Sequence, residues 1–81
     1  MRELENCIKE FRKLFPNLPV STVFDYDRNR FLFISTRPNG RHKYGAMFLV
    51  SKDGKNADDY MPLADSENYL RVTGKGPIYE S

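Results

Sequence analysis

The chain has one cysteine and one histidine in 81 residues, and each shortage excludes something. Zinc takes about four nitrogen or sulfur ligands in a structural site and about three in a catalytic one. Cys7 and His42 cannot supply either set, so no metal site of that kind and no cofactor is expected. Cys7 has no partner for an internal disulfide, which suits a reducing, cytoplasmic compartment. No run approaches the roughly 18 apolar residues that cross a bilayer. The first residues, MRELENCIKEF, interleave acids with apolar side chains and lack the core of a secretory leader. His42 must serve any Ser-His or Cys-His dyad. It stands between Arg41 and Lys43, whose charge disfavours the imidazolium.

Charge of one sign is also missing, but only locally. Arg28, Arg30, Arg37, Arg41, His42 and Lys43 share a stretch without a carboxylate. Asp53, Asp58, Asp59, Asp65 and Glu67 then follow against Lys55 alone. The net charge of +2 therefore hides a dipolar molecule, a property that bears on steering and partner choice.

What is present is a folded composition: 40% hydrophobic residues, with six Phe and five Tyr. A chain of this length buries only about 60–65% of its unfolded surface, so one small domain over 1–81 is expected, with modest stability. Leu4, Cys7, Ile8, Phe11, Leu14 and Phe15 make one stripe at 3.6 residues per turn, which predicts an amphipathic helix over 1–15. Pro16 ends it, because the residue before a proline is pushed out of the α region.

Antiparallel strands are expected over 20–61. Val20, Thr22, Phe24 and Tyr26 alternate with Ser21, Val23, Asp25 and Asp27, which predicts one buried face and one wetter face. Asp27-Arg28-Asn29-Arg30 supplies turn chemistry. The return strand points Phe31 and Phe33 one way and Leu32 and Ile34 the other. After Pro38-Asn39-Gly40 comes KYGAMFLVSKDG, the longest apolar run. It is apolar on both faces and closes on the Asp53-Gly54 turn signal. A weaker strand to Met61 follows. Its hairpin register sets Val50 against Ala57 and Met47 against Tyr60, and its Asp58 and Asp59 suit a sheet edge. Residues 63–72 read equally as one helical turn or a short strand, and 74–81 as a flexible tail.

The fold class is therefore α+β: an N-terminal amphipathic helix packed on a three- to four-stranded antiparallel meander sheet. Two inner strands need cover on both faces, and only one strong helix is evident. Unless Tyr60, Met61, Leu63, Tyr69 and Leu70 fold back, Leu32, Ile34, Met47 and Leu49 leave an apolar patch, which a homodimer would close.

Motifs for chemistry are poor. DGKNADD departs from a calcium loop at Lys55 and at its early glycine, and Gly74-Lys75-Gly76 lacks the upstream glycine and following Ser or Thr of a phosphate loop. Asp25 and Asp27 share a strand face without a third acid, and Cys7 lies on the apolar stripe of the helix. A non-enzymatic protein-binding module is the leading expectation, acting by covering a partner's surface. Its candidate contacts are Arg28, Arg30, Arg37, Arg41, His42 and Lys43, with Asp58 and Asp59 at the opposed acidic edge. In size and layout the chain resembles small bacterial or phage-encoded binding proteins, immunity and inhibitor proteins among them. A nucleic-acid-binding protein using the basic 28–43 segment is the alternative, and a subunit of an oligomeric assembly a further one. No membrane partner is expected.

Overall fold

A computed structural model describes residues 2–35 and 46–81. Helix α1 (Arg2–Leu14) leads into strands β1 (Thr22–Asp25), β2 (Arg30–Ser35), β3 (Ala46–Ser51) and β4 (Ala57–Asp59). A 3-10 turn (Pro62–Asp65), helix α2 (Ser66–Gly74) and strand β5 (Tyr79–Glu80) complete the chain. The protein is α+β, with α1 packed on an antiparallel sheet of order β4-β3-β2-β1-β5.

α1 forms as its periodicity requires. Leu4, Cys7, Ile8 and Phe11 are buried, acids occupy its first turn, and Arg12 and Lys13 its last, in favourable order for the helix dipole. Leu14, at the end of the stripe, is exposed, whereas Phe15 packs on the core. Phe11 centres an aromatic cluster with ring centroids 4.8 Å from Phe33, 5.2 Å from Phe15 and 5.9 Å from Phe48. Such tilted pairs add to the area they bury. The β3–β4 turn is pressed against the helix. Gly54 has φ +79° and comes so close that a Cβ would stand 2.6 Å from Glu10 Cβ and 2.7 Å from the Cys7 carbonyl oxygen.

The inner strands carry apolar side chains to both faces, as expected. Phe31, Phe33, Phe48 and Val50 join the α1 side, and Leu32, Ile34, Met47 and Leu49 the other. Val50 pairs with Ala57, and Tyr60 N–H donates to the Met47 carbonyl oxygen, the register expected for this hairpin.

Three expectations need correction, and the choice left open at 63–72 is decided. The sheet has five strands, not three or four. Residues 74–81 are not a loose tail: Tyr79–Glu80 pairs with β1, and the N–H groups of Ile78 and Ser81 donate to the carbonyls of Val23 and Ser21. Of the two readings of 63–72 the helical one holds, at greater length than one turn: Ser66–Gly74 form a helix, preceded by the 3-10 turn that Pro62 starts. β1 has no wet face within its core, because Val23 is buried toward α1 and Phe24 toward α2. The helices sit on opposite faces and toward opposite sides of the sheet, α1 over β3 and α2 over β1. Linker residues Leu18 and Val20, with Tyr79, fill in beside α1.

Candidate interaction surface

The side chains named from sequence are dispersed. Arg28 is exposed in the β1–β2 turn. Arg30 is tied to that turn: its guanidinium donates to Asp27 Oδ2 at 2.9 Å and lies 5.2 Å from the centre of the Tyr26 ring. The bond to Asp27 raises the Arg30 pKa above its usual value. Arg37, Arg41, His42 and Lys43 lie outside the described residues. Asp58 and Asp59 are exposed on edge strand β4, with Asp58 beside Leu49 and Asp59 beside Phe48 in the register.

Among the described residues, Asp25, Asp27 and Cys7 each have a structural task. Asp25 bonds Lys52 Nζ at 3.2 Å, and the same Nζ lies 4.8 Å from the centre of the Phe31 ring. Asp27 accepts from the N–H groups of Asn29 and Arg30. Burial opposes its ionisation, but these bonds and the Arg30 guanidinium outweigh it and hold the carboxyl below its usual range. The Cys7 thiol donates to the Ser51 carbonyl oxygen, and burial, with Asp53 and Glu3 nearby, pushes its pKa up to about 12. A thiol so protonated is a poor nucleophile at neutral pH. Among the described residues no group of three or more His, Cys, Asp or Glu side chains could hold a metal ion. No described helix is long and apolar enough to cross a membrane. An open groove of about 590 Å³ beside α1 sets Arg2, Lys52 and Lys55 among Glu3, Glu10 and Asp53, so it favours neither sign of ligand.

The face under α2 is different. α2 turns Tyr69 and Val72 toward the sheet, and Val72 is its one buried residue. A polar latch supplies the rest. Asp65 stands at the helix N-cap but makes no side-chain cap bond. Its Oδ2 instead accepts from Tyr26 Oη at 2.5 Å and Tyr60 Oη at 2.8 Å, while Oδ1 accepts from Asn68 Nδ2 at 2.8 Å. The bond from Tyr26, then those from Asn68 and Tyr60, lower the Asp65 pKa. Tyr26 is raised above the usual tyrosine value chiefly by its bond to Asp65, and Tyr60 chiefly by burial. The sheet is thus bolted to α2 through a carboxylate shared by two phenols.

Among the described residues, cover on this face is incomplete. Phe24, Tyr26, Leu32 and Tyr60 are buried, but Ile34, Met47 and Leu49 are only partly so. The layer above exposes apolar side chains outward: Leu63 is 92% exposed, Leu70 70% and Met61 66%. The functional candidates missed from sequence are this trio and the Asp65 latch. A helix at 66–74 would have placed Leu70 outward, opposite Val72, but the stretch is too short and too polar for its period to be read. No family model matches the chain, and neither a curated protein nor a solved structure matches it.

Proposed function

We propose that this protein is a non-enzymatic binding module that acts by covering the surface of a protein partner, through the α2 side of its sheet. The observation that carries this reading is the coincidence of outward Leu63 and Leu70 with the half-covered strip Ile34, Met47 and Leu49. Isolated exposed leucines are ordinary, but a group of them on one incompletely covered layer usually marks an interface. Asp58, the register partner of Leu49 in the strip, favours a partner that brings positive charge. A single cysteine suits the cytoplasm.

The nucleic-acid alternative has thinner support. Arg30 is engaged by Asp27, which leaves Arg28 as the one described basic candidate not so held. Retention on DNA or RNA at low salt, lost when Arg37, Arg41 and Lys43 are replaced by Glu, would restore it.

Capture from the source cells with the tagged chain and with its Leu63→Glu/Leu70→Glu variant tests the leading reading. A protein retained by the parent should bind the variant at least about tenfold more weakly, a difference of about 1.4 kcal/mol. Equal retention by both, or no retained protein, would sink the proposal.

A further inference from the structure

A helix with its side chains is about 10–12 Å across, and strands lie about 4.8 Å apart, so one helix shelters about two strands. α2 lies over β1. Among the described residues its face therefore has room for one more helix over β3, where Met47 and Leu49 are half-covered, with Ile34 of β2 beside them. The same face carries the reverse surplus, since α2 turns Leu70 outward and the 3-10 turn before it presents Leu63. Surplus and shortage stand side by side on one layer.

We propose that the occupant is a second copy of this chain, related by a two-fold axis that lays the two α2 helices side by side. Each helix then covers the other copy's β3 strip. This rests on the protein-binding reading above and names its partner. A two-fold interface must be self-complementary, and here a helix with too much apolar surface meets a strip with too little. Charge agrees. Arg71, next to Leu70, is exposed on α2, while Asp58 borders the strip as the register partner of Leu49. The two-fold axis brings the Arg71 of each copy toward the Asp58 of the other. The competing arrangement, β4 against β4 in a continuous sheet, sets Asp58 and Asp59 against their own copies and is disfavoured by like charge.

Sedimentation equilibrium of the untagged chain from micromolar to millimolar concentration tests this. The parent chain should show a monomer–dimer equilibrium. Leu70→Glu, at an exposed position that the fold does not need, should shift it at least about tenfold toward monomer, with an unchanged circular dichroism spectrum. Arg71→Glu should weaken association, and Arg71→Glu combined with Asp58→Arg should restore it. A parent chain that stays monomeric throughout would overturn the inference, as would a dimer indifferent to Leu70→Glu or a charge swap that rescues nothing. The broader reading fails separately, when capture of a partner protein ignores Leu63 and Leu70.

Discussion

The two faces of the sheet are closed by different chemistry. On the α1 side, Cys7, Phe11, Val23, Phe31, Phe33 and Val50 are fully or almost fully buried, and the contacts are nearly all apolar. On the α2 side, one buried valine and two tyrosines bonded to Asp65 hold a nine-residue helix over part of the face. A thirteen-residue helix plus the Leu18–Val20 linker closes over nine buried residues, with Phe15, Leu18, Phe48, Ala57 and Tyr79 partly covered at the margin; the shorter helix with its narrow inward stripe closes over five. Apolar packing acts over the whole contact, whereas a hydrogen-bonded latch acts at one point and leaves its surroundings open. The α1 face therefore holds most of the buried apolar core, and the α2 face is the one on which the proposed binding rests.

That contrast predicts unequal mutational sensitivity. Phe11→Ala removes the centre of the aromatic cluster and should destabilise by about 4 kcal/mol. Domains of this size have little more to lose, so the variant should have no clear folded baseline in a urea titration. Gly54→Ala strikes the same face from the turn side. It puts a Cβ against Glu10 and the Cys7 carbonyl at a φ of +79° that alanine rarely adopts, for a loss of about 3 kcal/mol. Val72→Ala, the corresponding deletion under α2, should cost about 2 kcal/mol. If Val72→Ala proved as damaging as Phe11→Ala, the faces would be equally anchored and the comparison would fail.

The α1 side was also the more legible in sequence, for the same reason. Its stripe repeats at 3.6 residues, and Phe31, Phe33, Phe48 and Val50 alternate at two, so pattern alone locates helix, strands and shared face. The register between Val50 and Ala57 followed from the turn at Asp53-Gly54. The α2 side was obscured by its polar anchor. Asp65 stands at the N-cap position, yet its carboxylate points to tyrosines 39 and 5 residues away, a use that no local pattern signals. β5 is held through backbone N–H groups of Ile78 and Ser81 that donate to Val23 of β1 and to Ser21 just before it, and backbone pairing leaves no trace in side-chain type. Leu14 shows the opposite failure: a residue on the predicted stripe becomes exposed where the helix ends, and Phe15 takes the place against the core. Of the candidate contacts, Asp58 and Asp59 fell at a sheet edge as expected, while Arg30 was drawn into the turn by Asp27, three residues earlier.

The smallest effect sharpens the comparison most, because it isolates the latch. Tyr26→Phe and Tyr60→Phe each delete one hydroxyl donor and leave the ring packing in place, so each should lower stability by about 1 kcal/mol in urea titrations. Both hydroxyls serve the same oxygen of Asp65, so the double variant should depart from the sum of the singles. The pH dependence follows from the shift. The Asp65 pKa is lower in the folded state, so the unfolded chain takes up its proton first as pH falls. Its stabilisation is complete above the ordinary aspartate range, near about 4, and is lost as pH drops through the folded value. The tyrosines behave in the opposite sense. Their raised values make their stabilisation complete below the ordinary tyrosine range, near about 10, and it disappears as pH rises through the folded values. Unfolding free energy should therefore fall more steeply in acid for the parent chain than for Tyr26→Phe/Tyr60→Phe, with Asp27, Asp53 and the Asn68 bond to Asp65 giving both a common residual slope. Parallel acid limbs would mean that Asp65 gains nothing from the two phenols, and α2 would then be held by Val72 and Tyr69 alone.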